Sequence, residues 1–191
     1  MSVGVLRPIL GPAALCLLLA SCASSGQDGT GASDVAPDTR RRLNVGQTTI
    51  EMYNQAGIES RNLPAAVRDV WPVLEGVYAE LEIPVTLIDP ATWEFGNPAF
   101  QPRRVAGERL NSFIDCGSNF SGPLANLYEV DMSVVTKLVP VSDSTQVVTV
   151  VDAFARPRTT SGNQVHCQSR EVLERRIIRL VAGRLGFGPG D

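Results

Sequence analysis

The chain has 191 residues, of which 43% are hydrophobic and 19% charged, and its net charge at pH 7 is −3. A mildly acidic chain lacks the basic patch or stripe that nucleic acid favours, so no nucleic-acid partner is expected. Its length is sufficient for one domain with a sizeable core.

The chain opens with a short segment carrying Arg7, followed by an apolar run from Ile9 to Leu19. A membrane-spanning helix needs roughly 20 apolar residues, whereas a run of this length is typical of a secretory signal peptide. Residues 1–21 are therefore predicted to be a signal peptide. Its removal takes away the positive charge of Arg7 and leaves a net charge of −4.

The apolar run ends in Leu19-Ala20-Ser21-Cys22. This segment resembles the lipobox of bacterial lipoproteins, an aliphatic residue and two small residues before a cysteine. The resemblance implies that Cys22 receives a diacylglyceryl group and becomes the N-terminus, with fatty acids such as palmitate holding it in the membrane. Ala23, in place of an aspartate, points to the periplasmic face of the outer membrane. The alternative is an ordinary secretory signal in which Cys22 has no role.

Residues 22–42 are rich in Gly and Ser and offer almost nothing to bury. Such a segment is typical of a flexible tether, with a reach on the order of 20 Å. It ends in a basic block, Arg40-Arg41-Arg42, which is interpreted as a solvated boundary or as a contact with anionic lipid or a partner. Residues 43–191 are predicted to form a single α+β domain.

Cys116 and Cys167 are the two cysteines that remain after Cys16 in the leader and Cys22 at the lipobox. In an exported protein such a pair is most simply a structural disulfide, here closing a loop of about 50 residues. A metal pair, a redox site and a nucleophilic pair of Cys167 with His166 are the alternatives. No CxxC is present, and neighbours on an extended chain point to opposite faces, so neither a metal nor a cofactor is expected.

The first structured elements are a strand over 45–53 and a helix over 64–81. The apolar residues of the helix recur at spacings of three and four: Val67, Val70, Trp71, Leu74, Val77, Tyr78 and Leu81. Trp71, Leu74 and Tyr78 on this stripe form either a core face or a face that contacts a ligand.

Five further strands are predicted over 84–88, 92–96, 104–116, 127–139 and 146–155, with a hairpin turn at 141–144. The segment 147–151 is apolar on both faces, which indicates a central, covered strand. Two longer loops, 117–126 and 156–164, flank the cysteines as surface connections. A final helix is predicted from Ser169, as its N-cap, to Leu185.

This order predicts an α+β fold: an antiparallel sheet of about five to six strands with a long N-terminal and a C-terminal helix packed on one face. It is similar to the helix-grip arrangement. The segment Val70-Trp71-Pro72-Val73-Leu74 leading into 83–86 also resembles the BamC-like lipoproteins, accessory subunits of the outer-membrane protein assembly machinery. That resemblance implies envelope proteins as partners.

Two functions are consistent with these residues. The first is a lipid-anchored envelope lipoprotein that acts as a non-catalytic protein-docking or structural module on the periplasmic side of the membrane. The second is a module that binds a small apolar ligand between the long helix and the sheet. An enzyme is not expected, because the sequence contains no recognisable triad, metal cluster or nucleotide loop.

Overall fold

The computed structural model describes residues 40–45, 48–53, 56–158 and 163–188. The predicted signal peptide, Cys22 and the tether up to residue 39 lie outside the described residues. In chain order the elements are β1 (Arg40–Val45), β2 (Thr48–Tyr53), β3 (Gly57–Leu63), α1 (Val67–Glu80), β4 (Leu87–Asp89), β5 (Glu94–Phe100), β6 (Arg104–Val105), β7 (Glu108–Arg109), a 3-10 turn (Leu110–Ser112), β8 (Ile114–Asp115), β9 (Ser118–Asn119), β10 (Gly122–Pro123), α2 (Leu124–Leu127), β11 (Glu129–Val141), β12 (Ser144–Arg156), β13 (Val165–Ser169) and α3 (Val172–Arg184).

The long hairpin of β11 and β12 is the centre of the fold. Each strand has 13 residues, and Val141 pairs with Ser144 across the predicted turn. Strands β5 and then β4 extend the sheet beyond β11, while β3 and β13 pair with different stretches of β12, and β8 pairs with β13. The described part of the chain therefore holds a seven-stranded sheet whose pairs are all antiparallel. The α+β class, the antiparallel sheet and the C-terminal helix are confirmed.

The core lies between this sheet and the helices α1 and α3. Along β11 every second residue from Val130 to Leu138 is buried, the period of two that a strand with one covered face requires. Helices α1 and α3 contact each other, and both contact β12. Buried helix residues in the core cluster are Val70, Leu74, Val77, Tyr78, Leu173, Ile177, Ile178, Val181 and Ala182.

Within the segment 147–151 of β12 every residue is buried except Val150, which is half-buried. Val147 and the neighbouring Val148 are each fully buried, although their side chains point in opposite directions. Because β12 also has hydrogen-bonded strands on both sides, the prediction that 147–151 is a central and covered strand is confirmed.

Two strand predictions are wrong in their extent. The segment 45–53 belongs to two strands, β1 and β2, which pair as a ribbon from Val45 opposite Thr48 to Arg40 opposite Tyr53. Strand β1 thus begins inside the range predicted for the tether. The segment 104–116 is not one strand either, because the chain turns at Ala106 and Gly107, both with positive φ, and then forms the 3-10 turn. Gly107 is the sequence signal for the turn between β6 and β7.

Strands β3 and β13 were not predicted, and Ser169 does not cap the last helix. β3 alternates polar residues with few apolar ones, so its sequence resembles a loop. Ser169 closes β13, and Glu171 precedes α3 in the left-handed conformation, with φ of 59°. The Ser169 hydroxyl accepts the Glu171 N–H at 3.0 Å, so it still binds a backbone donor near the start of the helix.

Candidate functional site

An aromatic surface lies at the edge of the sheet on the side of the helices. Trp71 from α1 packs edge-on against Trp93, with ring centroids 5.4 Å apart, and against Phe95 of β5 at 5.7 Å. Ile88 on the edge strand β4 pairs with Phe95 in register and is 62% exposed. Both tryptophans are half-buried. We call Trp71, Ile88 and Trp93, with Phe95 beneath them, the edge patch.

The turn that carries Trp93 is held by local hydrogen bonds. The Asp89 carboxylate accepts the Ala91 N–H at 2.9 Å and the Thr92 N–H at 3.3 Å. Hydrogen bonds from the Thr92 side chain and the Ala91 backbone lower the pKa of Asp89 below its usual value. The Trp93 carbonyl accepts the Leu138 N–H at 3.0 Å, which ties the turn to β11. The edge patch is therefore presented on a fixed backbone.

The space beneath the edge patch is filled by a buried chain of hydroxyl groups. The Tyr78 hydroxyl lies 2.9 Å from the Thr136 hydroxyl, which in turn lies 3.0 Å from that of Thr149. The Tyr78 hydroxyl also donates to the Phe95 carbonyl at 3.3 Å. Burial raises the pKa of Tyr78 well above its usual value, and the hydrogen bond to Thr136 offsets this only in part. Leu74 is also fully buried. Of the three residues predicted to share a core or ligand face, Leu74 and Tyr78 belong to the core, whereas Trp71 reaches the surface.

The disulfide between Cys116 and Cys167 is present, as predicted, and lies towards the other end of β12. Its Cα atoms are 4.1 Å apart, and both cysteines are buried. It links the chain after β8 to the middle of β13, next to the pairing of Gln168 with Asp115. Because both sulfur atoms are in this bond, Cys167 carries no thiol for a nucleophilic pair with His166.

His166 has a partner that the sequence did not suggest. Its Nε2 lies 2.6 Å from Asp152 Oδ1, and its ring stacks on Phe154 with centroids 4.3 Å apart. The contact arises because β13 pairs with β12 so that His166 lies opposite Phe154, two residues from Asp152. Only the register of that pairing could have revealed it.

A buried carboxyl group lies where β13 ends and β3 begins. Glu174 in the first turn of α3 is fully buried; its Oε1 accepts the Ser169 hydroxyl at 2.5 Å, and its Oε2 has no hydrogen-bond partner among the described residues. Burial raises the pKa of Glu174 to about 7, against the opposing effect of the Ser169 hydrogen bond. A Cβ atom at Gly57 would overlap this carboxyl, so the start of β3 needs glycine there. Glu174 follows the buried Leu173 in α3, and the sequence gave no sign that its carboxyl group would be buried.

In the described ranges, no cluster of three or more metal-binding side chains occurs, and no helix is long and apolar enough to cross a bilayer. No known protein family matches this chain. No curated protein matches it either.

Proposed function

We propose that this protein is a lipid-anchored envelope lipoprotein, held on the periplasmic face of the outer membrane by acyl chains on Cys22. The segment Leu19-Ala20-Ser21-Cys22 supports the anchor through its resemblance to a lipobox. The disulfide supports an oxidising compartment, because the two cysteines left beyond that segment are bonded to each other.

We further propose that the domain is a non-catalytic docking module, and the edge patch is the observation that carries this proposal. Tryptophans dominate the binding energy of many protein interfaces because they bury a large area at small entropic cost. Here two of them touch, are half-buried, and lie beside an edge strand whose Ile88 is mostly exposed. A partner with an apolar surface can cover all three side chains at once.

The helix-grip arrangement belongs to the same proposal. Helix α1 contacts β11, β12 and α3, as a helix held against a sheet does. The alternative, a small apolar ligand between this helix and the sheet, fits the geometry less well. Leu74 and Tyr78 fill that space, and the Tyr78 hydroxyl is already bonded to Thr136 and Phe95.

Metabolic labelling with an alkyne analogue of palmitate tests the anchor. We expect label on the wild type and on Cys16→Ser, which alters a leader cysteine outside the lipobox, and none on Cys22→Ser. Equal labelling of the wild type and Cys22→Ser would contradict lipidation at this residue.

Site-specific photo-cross-linking in intact cells tests docking through the edge patch. A photoreactive residue replaces Ile88 in one variant and Arg179, an exposed residue of α3, in a matched control. We expect a protein adduct of discrete mass from position 88 only, and its loss when Trp93→Ala is added. Identical products from both positions, or none from position 88, would contradict docking at this surface.

A further inference from the structure

The loop between the disulfide and β11 differs from the rest of the chain in charge. Residues 117–128 contain no Asp, Glu, Lys or Arg, although 19% of the whole chain is charged. Among the described residues, four large apolar side chains are exposed, and two of them, Phe120 and Leu127, lie in this segment. We call residues 117–128 the neutral loop.

Phe120 stands at the tip of the neutral loop. Strands β9 and β10 pair as a small hairpin, Asn119 opposite Gly122 and Ser118 opposite Pro123, with Phe120 in the turn between them. Its side chain is 102% exposed, so it buries no area in the fold. Single exposed apolar residues are common on protein surfaces, but an aromatic side chain fully exposed at the tip of an uncharged hairpin places all of its apolar area within reach of a second surface.

The hairpin is fixed at its turn and at its base. The Asn119 side chain accepts the Ser121 N–H at 2.9 Å, and the Gly117 carbonyl accepts the Leu124 N–H at 2.9 Å. Cys116, immediately before the loop, is buried and disulfide-bonded to Cys167. A tip that is already ordered loses little conformational entropy when it is buried.

Two ion pairs flank the neutral loop, and the exposed Arg158 donates to the Tyr128 carbonyl at 3.5 Å. Asp115 before the loop lies 2.9 Å from Arg170, and Glu129 after it lies 3.7 Å from Arg156. The loop therefore offers neither the basic side chains that anionic lipids attract nor acidic side chains that a phospholipid surface would repel.

We propose that the neutral loop inserts Phe120 into the interfacial region of a neutral, zwitterionic phospholipid bilayer. This inference rests on the proposed lipid anchor, whose flexible tether gives a root-mean-square reach on the order of 20 Å from that surface. Insertion of the tip buries the exposed ring, and none of residues 117–128 carries a charge that would have to be dehydrated. A protein pocket could also receive the ring, but the proposed anchor supplies a bilayer, and the absence of charge from twelve consecutive residues suits a zwitterionic surface.

The test compares two labelled positions in the acylated protein, reconstituted into phosphatidylcholine vesicles whose acyl chains carry a nitroxide quencher. An environment-sensitive dye is attached to Phe120→Cys or, as control, to Val141→Cys, and peptide mapping verifies that Cys116 and Cys167 remain bonded. Val141 is 40% exposed and lies at the far end of β11, about 40 Å along the strand from its start beside the neutral loop. We expect a blue-shifted and quenched dye at position 120 and a water-like, unquenched dye at position 141.

A second measurement removes the anchor. The chain with Cys22→Ser is titrated with the same vesicles and with vesicles containing phosphatidylglycerol. We expect Phe120→Ser to weaken binding about tenfold in both. A water-like dye at position 120 would overturn the insertion, and it is the result expected if the ring binds a partner protein that the vesicles lack. Equal binding by the Cys22→Ser chain with and without Phe120→Ser would also overturn it. If Cys22 is not acylated but the titration shows the tenfold loss, the proposed anchor fails and the membrane contact of the loop stands.

Discussion

The aromatic end of the molecule and the disulfide end are stabilised in different ways. At the aromatic end, every buried hydroxyl from Tyr78 to Thr149 has a hydrogen-bond partner, and the side chains around it are close-packed. At the disulfide end, a covalent bond joins Cys116 to Cys167, and the nearby Glu174 keeps one oxygen without a partner among the described residues. The first end should respond mainly to changes of side chain, and the second should also respond to reductant and pH.

The largest expected effect is that of removing the disulfide. The double variant Cys116→Ala/Cys167→Ala opens a loop with a sequence separation of 51, which should lower the free energy of unfolding by about 4 kcal/mol in the loop-entropy description. Chemical denaturation with and without a reducing agent measures it. Reductant should destabilise the wild type and leave the double variant unchanged. An equal response of both would mean that the bond contributes nothing at this end.

The next effect is a pH dependence that Glu174→Gln should remove. The pKa of Glu174 is raised from its ordinary 4.5 to about 7 in the folded chain, so the native state binds the proton more tightly than the unfolded state. The resulting stabilisation is fully present below pH 4.5 and is lost as pH rises through 7, a change on the order of 3 kcal/mol. Denaturation at several pH values should show wild-type stability falling relative to the variant over this range. Parallel curves would contradict a buried, neutral carboxyl.

A smaller effect is expected at the edge patch. Trp71→Ala removes contacts with Trp93 and Phe95, but part of the Trp71 ring is already exposed to water. We therefore expect the free energy of unfolding to fall by about 2 kcal/mol, less than for a fully buried tryptophan. The variant Trp71→Phe should cost under about 1 kcal/mol while still reducing cross-linking from position 88. A cost for Trp71→Ala equal to that of Tyr78→Ala would mean that the tryptophan serves the core alone.

The smallest effect on stability is expected at Phe120. Because its ring is fully exposed, Phe120→Ser should change the free energy of unfolding by less than about 0.5 kcal/mol. Thermal or chemical denaturation alongside the wild type measures this. A fall in the free energy of unfolding above about 1 kcal/mol would show that the ring packs on the domain and contributes to its stability.

The sequence predicted elements well where one periodicity runs uninterrupted. The alternation along β11 and the doubly apolar 147–151 of β12 identify the central hairpin, and the cysteine count identifies the disulfide. Strand β3 was not predicted, because its pairing with β12, and not its own sequence pattern, determines which of its residues are buried. A strand that is stabilised mainly by its neighbours has little hydrophobic periodicity of its own from which it could be predicted.

The candidate sites were harder to predict, because each depends on residues far apart in the chain. Trp71 lies on the predicted stripe, but its exposure follows from its position near the sheet edge, beside Trp93 and Phe95. His166 meets Asp152 only through strand pairing, and Glu174 is buried because β3 and β13 meet over it. The sequence identifies Phe120 as a residue of an uncharged loop, but it does not predict that the side chain is completely exposed.

The disulfide encloses β11 and β12 entirely, which bears on the order in which the chain acquires its structure. These strands are joined by a two-residue turn, so their pairing needs little loop closure, whereas β3 and β5 reach the same hairpin from distant parts of the chain. An oxidised chain therefore begins folding with the pairing of its two longest strands confined to a closed ring. We expect it to refold faster than the reduced chain, with the central hairpin forming first and the edge strands joining afterwards.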